Sequence, residues 1–506
     1  MSPLRIAVIG GGISGLAAAH RLIERSPDAE VTLLEAADRL GGWIGTIEKD
    51  GFVIERGADS ILAESPGFWS LVDRLHLRDR IVRTRTDRHG AYVLRAGEMT
   101  RIPDGWSLLA PTNLGALRFA NVLSPAGRLR VGLEVLLSRR PKAAGGESLA
   151  SFARRRLGWE ALERLGQPLA SGIYGSDAET LGLDATLPRF SKMEAEHRSI
   201  VLGLGAEVAR KAAERARGAS SEKTASDGAS GARYGLFLAF DRGMQVLVDA
   251  LGAKIGARAQ LGVRAVSLQR RGEGYAIETT SVAGAGTLHV DRVIVALPGP
   301  RAATLLETLD GELARGFLSV PHASASTVTF GFDRSAIAHP LDAYGLVIPA
   351  VERRRVLAMT WASEKWPGRA PEGKVLIRVF VAGPGEGTAR ASAVPELDVR
   401  TDEELTRTAL REIHTLLGGS GGRAPEPLFS IVSRFPRAMP RYLVEHEQTK
   451  DRVLGQLSRF SGLELAGNAL TGVGIPHAIA SGERAADAVL LSARSAGIEE
   501  RARGVA

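Results

Sequence analysis

The chain has 506 residues, 44% hydrophobic and 24% charged, which is the composition of a globular protein of about three compact units. It contains no cysteine, so disulfides, iron–sulfur ligation and thiol catalysis are excluded and any redox chemistry must come from a bound cofactor. The net charge of +8 rests on 56 arginines against 9 lysines, a surplus suited to anionic lipid or an acidic substrate; a nucleic-acid partner is not expected.

Residues 4–9 (LRIAVI) read as a short apolar strand entered directly from the N-terminus, which leaves no room for a secretion signal. Gly10, Gly12 and Gly15 follow in GGGISG, and Ile13 and Ser14 open an alanine-rich helix. Glycines at this spacing permit a tight turn, close approach of backbone N–H groups to a pyrophosphate, and close packing of helix on strand. A second strand (EVTLL) ends at Glu35, twenty residues after Gly15, where a carboxylate can take ribose hydroxyls and disfavours a 2′-phosphate. The alternative is a glycine turn serving helix packing alone.

Arg39, Gly41, Gly42 and Trp43 come next, in ADRLGGWIGT. Spacing up to Glu35 does not separate FAD from NAD. This continuation, however, resembles the extended flavin signature of the amine-oxidase-like flavoproteins, which implies FAD. The arginine can meet phosphate and the paired glycines let backbone pass beside the flavin end, with a plain surface turn as the other reading. Residues 105–140 set Leu, Val and Phe at helical spacing among Arg118, Arg128, Arg130, Arg139 and Arg140. Such a stretch is either a surface that dips into an anionic lipid interface or an ordinary core helix pair with a solvated basic face. Residues 105–215 look mostly helical, and 217–233 (RGASSEKTASDGASGAR) lack any large apolar residue and read as a mobile loop. Residues 235–300 and 325–385 carry the alternation of strands, among them the pair GVRAVSLQRRGEGYAIETT, with Val263 as a further cofactor contact, and the buried strand VDRVIVALP. Near the end, LAGNALTGVGIPHAIASG repeats strand, glycine turn and helix; Gly467, Gly472, Val473, Gly474 and Ile475 are its expected flavin-end contacts. No run of 18 or more apolar residues is present to span a bilayer.

Together these segments predict an α/β protein, α+β overall, with a Rossmann-like FAD-binding domain built from both chain ends (1–60, 235–300 and 455–495). A β-sheet substrate-binding domain (61–100 and 301–454), a helical membrane-associating domain (101–215) and a flexible loop (216–234) complete it.

From Arg5 to about Leu490 the chain resembles the oxygen-dependent protoporphyrinogen oxidases and their relatives, the coproporphyrinogen oxidases. The likeness rests on GGISGLAAAHRL, RLGGWIGT, GIYGSDAETLGLDATLPRF at 172–190 and MEAEHRSIVLGL at 193–204. It implies oxidation of protoporphyrinogen IX to protoporphyrin IX, with coproporphyrinogen III as the alternative substrate. A meso-carbon hydride would pass to flavin N5 and O2 would give H2O2, in three such cycles and with no catalytic side chain or metal. It implies peripheral contact with an anionic membrane from the cytoplasm, and a homodimer is open to it. Val347 and Trp366 match positions that pack apolar surface on the tetrapyrrole, against routine core as the other reading; Gly172 matches a loop whose carbonyl lies near the pyrrole N–H groups, against a plain turn. Relatives set an arginine for a substrate propionate where this chain has Ala91, which leaves Arg88 or Arg95 as the candidate anchor. An amine oxidase, or a non-catalytic carrier on the same scaffold, are the other classes; the first usually shows aromatics around the flavin, and TGVGIPHAI supplies none.

Overall fold

The computed structural model describes residues 3–63, 65–107, 109–140, 146–216, 237–381 and 400–503. The low-complexity stretch at 217–233 lies outside them. Strand Arg5–Ile9 is the centre of a five-stranded sheet, ordered Ala259–Leu261, Glu30–Glu35, Arg5–Ile9, Arg292–Val295, Leu463–Leu465. All of its pairings are parallel, and its inner strands are buried on both faces and read as continuous apolar runs such as RIAVI and RVIV. Helix Ile13–Arg25 covers one face and packs lengthwise against helix Ile475–Arg503, so the two ends of the chain close on each other. Gly482 makes that approach possible: a Cβ there would lie 2.1 Å from the Ser14 carbonyl oxygen.

The second sheet has seven strands, in the order Phe429–Pro440, His322–Asp333, Lys374–Val381, Val356–Trp361, Gly345–Val347, Tyr92–Arg95, Glu98–Arg101. Side chains alternate between its faces. Leu94, Leu346, Met359, Ile377, Val379 and Val328 point to one face and form a core with helix Asp402–Leu417, which Thr401 starts with a reciprocal capping box to Glu404. The other face turns toward a helical unit. Its helices include Leu149–Leu157, Gln167–Tyr174, Pro188–His197 and Ile200–Ala216.

Between residues 105 and 215 the structure is mainly helical, with one pair of two-residue strands, Trp106–Ser107 and Ala110–Pro111. Within 235–300 the expected strands are joined by a helix, Gln245–Ile255. A buried ion pair anchors the helical unit: Glu134 and Arg156 are both 0% exposed. The Glu134 carboxylate accepts from the Arg156 guanidinium (Nε, 2.8 Å), the Ser199 hydroxyl and the Ile200 amide (2.9 Å), so it also caps the N-terminus of helix Ile200–Ala216. Arg156 also donates to the carbonyls of Ser138 and Arg198.

Candidate active site

The loops at 10–12, 35–42, 296–299 and 466–474 all leave the carboxyl ends of the parallel strands, the edge at which open α/β sheets bind ligands. Gly10 has φ +109°, and a Cβ on it would stand 2.7 Å from the Ala296 carbonyl oxygen. One on Gly15 would stand 1.9 Å from the carbonyl oxygen of Gly10. At Gly12, by contrast, a Cβ would meet nothing within 4 Å. Gly12 is the N-cap of helix Ile13–Arg25, which has no side-chain cap and no acid in its first turn. Open space therefore lies before the free amides at the helix start, among Ile13, Ser14 and Gly15, and this fits a pyrophosphate.

Glu35 is half-buried beside that turn. One carboxylate oxygen accepts from the Gly11 amide (2.7 Å) and the other from the Ala37 amide (2.8 Å), so the group is fixed in place with lone pairs left for ribose hydroxyls. Val263 lies just beyond strand Ala259–Leu261, and its amide donates to the Glu35 carbonyl (2.9 Å). The Gly41 amide donates to the Gly11 carbonyl (2.8 Å), placing the Gly41–Gly42 turn against Gly12. Arg39 serves that turn directly: its guanidinium donates to the carbonyls of Leu40 (3.0 Å), Ile44 (2.9 Å) and Gly42 (2.7 Å). Trp43, half-buried, meets Phe435 edge to face at 5.7 Å and so joins the cofactor turn to the far strand of the second sheet.

The second glycine segment follows strand Leu463–Leu465. Gly467, Gly472 and Gly474 all have positive φ (+123°, +79° and +101°), a path open to glycine. The Gly467 amide donates to Ser481 Oγ (3.1 Å), the Tyr442 hydroxyl donates to the Asn468 carbonyl (2.5 Å), and His446 Nε2–H donates to the Leu470 carbonyl (3.0 Å). Val473 packs against the helical unit and Ile475 begins the last helix. Tyr442, His446 and Ser481 are absent from the sequence reading because each acts across 14 to 26 residues, with no local signal.

On the second sheet, Ala91, Val93 and Arg95 alternate onto the face toward the helical unit, where Ala91 and Val93 join its core. Val347 is the register partner of Val93, Ala358 of Val347 and Phe380 of Ala358, so these share that face; Val347, Ala358 and Phe380 are half-buried. Helix Gln167–Tyr174 packs against strand Val356–Trp361 opposite them, and Gly172 on it is exposed, with nothing near a Cβ. Val347, Ala358 and Phe380 thus make a half-buried apolar strip on the sheet face that this helix packs against. Arg88 is paired with Glu364 (3.5 Å), whereas Arg95 has no ion pair or side-chain hydrogen bond among the described residues, and its Nε is buried.

Trp366 is placed elsewhere. It is 1% exposed in the core beneath the first sheet's helices, with the Lys365 ammonium 5.2 Å from its ring centre. Beside it, buried charges tie the seven-stranded sheet to the segment at 55–60. Arg378 donates to the carbonyls of Gly57 and Arg56, and Lys365 to Asp59 and Ser60. Burial would raise the Asp59 carboxyl, but the charges of Lys365 and Arg378 overcome it and hold it down to about 2. Burial dominates at Glu55, pushed up to about 7 against the attraction of Arg369 and the hydrogen bonds from Thr46 and Met244. Among the described residues no cluster of His, Asp and Glu could hold a metal.

The family described as flavin containing amine oxidoreductase matches residues 13–490. A coproporphyrinogen III oxidase of Bacillus subtilis (strain 168) is 32% identical, covering 95% of this chain and 96% of its own. A chloroplastic protoporphyrinogen oxidase of Nicotiana tabacum is 27% identical over 94% of this chain and 83% of its own. A crystal structure from Exiguobacterium sp. 255-15, provisionally assigned as a protoporphyrinogen oxidase, superposes with a TM-score of 0.79 at 29% identity, covering 97% of this chain and 99% of that one. The chain belongs to the flavin-containing amine oxidoreductase family, among its coproporphyrinogen and protoporphyrinogen oxidases, with FAD as its cofactor.

Proposed function

We propose that the protein oxidises a porphyrinogen to the porphyrin with O2 as final acceptor, in haem synthesis, and that coproporphyrinogen III is the preferred substrate. The observation that carries this reading is the half-buried apolar strip of Val347, Ala358 and Phe380, with Arg95, which has no ion-pair partner among the described residues, on the same sheet face. A large flat macrocycle bearing carboxylates matches an apolar strip with a cation beside it. The relatives named coproporphyrinogen III oxidase are 30–32% identical and the plant protoporphyrinogen oxidases 26–27%, which favours the tetracarboxylate.

FAD, when bound, supplies a two-electron acceptor that O2 restores with release of H2O2. The chain's part is placement. The free amides after Gly12 and the Glu35 carboxylate hold the nucleotide, the loop at 467–474 borders the flavin end, and the apolar wall orients the macrocycle and excludes water. No side chain is assigned as nucleophile. Anaerobic mixing with coproporphyrinogen III and, separately, protoporphyrinogen IX is expected to bleach the flavin, and porphyrin fluorescence should follow on admission of air. Bleaching by a primary amine and by neither porphyrinogen would overturn the reading.

Contact with an anionic membrane is part of the proposal. Phe119, Leu129 and Leu136 are 67%, 66% and 70% exposed on the helical unit, flanked by arginines, and no helix among the described residues is long and apolar enough to cross a bilayer. Arg128 and Arg130 donate to neighbouring backbone carbonyls, so their removal would disturb the fold as well as the charge. Changing Phe119, Leu129 and Leu136 together to Ser is the cleaner probe. It should abolish flotation with anionic vesicles at low salt and leave flavin content intact; unchanged flotation removes the membrane from the proposal.

A further inference from the structure

Behind the segment at 55–60, the seven-stranded sheet carries a buried charge that the fold leaves without a counter-ion. Arg378, on strand Lys374–Val381, donates from its terminal nitrogens to the carbonyls of Gly57 and Arg56 and to the Thr327 hydroxyl (3.4 Å). The Phe380 ring lies 5.0 Å from its Cζ, but a ring face does not neutralise a cation. No carboxylate among the described residues reaches Arg378 in an ion pair: Asp59 is taken by Lys365 at 3.2 Å, and Glu55 stands 3.7 Å from Arg369. Arg378 Nε has no acceptor among the described residues. Two more buried donors share that condition, Arg369 Nε and Trp366 Nε1, each on a residue 1% exposed. Each unmet donor destabilises the fold unless something accepts from it, and the cost is larger on a charged group.

The three donors belong to one place. Trp366, Arg369 and Arg378 all line a cavity of about 10 Å³, together with Glu55, Asp59 and Thr329. That is room for a single water or a monatomic ion. A water accepts two hydrogen bonds and cannot serve three donors, whereas a halide accepts from several N–H groups at once. The charges favour the ion as well. Lys365, Arg369 and Arg378 bring three positive charges to the junction, Asp59 brings one full negative charge, and Glu55, pushed up to about 7 by burial, is only partly ionised near neutral pH. Both acids are already spoken for, Asp59 by Lys365 and Glu55 by the Thr46 hydroxyl and the Met244 amide. The interior is left with a net positive charge that one monovalent anion would offset. We propose that this cavity binds one halide ion, chloride being the natural occupant, held by Arg378 Nε, Arg369 Nε and Trp366 Nε1. The site adjoins the cofactor turn through one residue: Arg378 holds the Gly57 carbonyl, and a Cβ on Gly57 would stand 2.0 Å from the Trp43 carbonyl oxygen. Halide binding therefore stiffens the support on which that turn rests.

The test follows thermal unfolding of the holoenzyme by flavin fluorescence at constant ionic strength, with sodium gluconate replaced stepwise by sodium chloride or bromide. Gluconate is too large for the cavity. The melting temperature is expected to rise by about 3 °C with either halide and then to saturate, as binding to the folded state alone requires. Arg378→Met should abolish the rise. Trp366→Phe removes one neutral donor and little volume, and should raise the half-saturating chloride concentration about fivefold. It decides the case if Arg378→Met does not retain flavin. A crystal grown in bromide should show an anomalous peak within hydrogen-bonding distance of the three nitrogens. An equal rise in gluconate, a halide response that both variants leave unchanged, or a water alone in the cavity of the bromide crystal overturns the inference and leaves the proposed function standing.

Discussion

The turn at residues 10–15 and the sheet face around Val347 are the two surfaces proposed to meet a ligand, and they are made from different material. The turn is shaped by backbone: its donors are amides, its clearances are set by missing Cβ atoms, and its anchors come from Arg39 and Glu35 bonding to main chain. The sheet face is shaped by side chains arriving from four strands and an opposing helix. A backbone site tolerates almost no change at its glycines and little depends on which side chains surround it. A side-chain site can be retuned residue by residue, which suits the part that must recognise one substrate among relatives.

That contrast can be broken by substitution, beginning where the effect is greatest. Gly15→Ala puts a methyl group 1.9 Å from the Gly10 carbonyl oxygen, so the turn has to open. We expect complete loss of flavin absorbance and destabilisation on the order of 5 kcal/mol, read by denaturant unfolding; a yellow, stable variant would show that backbone clearance does not govern the cofactor side. Arg156→Ala leaves Glu134 charged and without its ion-pair partner in the interior and should cost about 3–5 kcal/mol. Flavin should be retained while limited proteolysis cuts the helical unit, so loss of both together would argue against independence of the two regions.

The third effect is smaller and depends on pH. Burial raises the Glu55 carboxyl from 4.5 to about 7, so its contribution to stability is full below pH 4.5 and is lost as pH rises through 7. Glu55→Gln mimics the protonated form and escapes that loss. Relative to the parent, the variant should gain up to about 3 kcal/mol between pH 5 and pH 8, measured as a growing difference in melting temperature. A difference that stays constant across that range would mean Glu55 is ionised throughout.

The same division explains what could be read in advance. The glycine turn, Glu35 and the segment at 467–474 are legible because each is a local pattern whose spacing is dictated by one strand, one turn and one helix. The alternation that places Arg95 with Val93 is legible too, once the strand is known. Arg39 is a different case: an arginine beside a glycine pair suggests phosphate, and three of its five N–H hydrogens go to carbonyls of its own turn. Tyr442, His446 and the Glu134–Arg156 pair gave no sign, since each meets partners 22 or more residues away and nothing in their own neighbourhood distinguishes them from solvated residues. Trp366 shows the reverse difficulty: an aromatic residue at a matched position is equally consistent with a pocket wall and with a core, and only the fold decides between them.

The order of the five-stranded sheet has a consequence for synthesis. Its central strand, Arg5–Ile9, leaves the ribosome before the other four, while Leu463–Leu465 and the helix that seats Gly482 against Ser14 follow more than 450 residues later. Until they emerge, strand Arg292–Val295 has an open edge and helix Ile13–Arg25 has an uncovered apolar flank, although the glycine turn is already complete in sequence. Capture of FAD is therefore expected as a late event, after most of the chain has been made, and the waiting intermediate is one that a chaperone would have reason to hold.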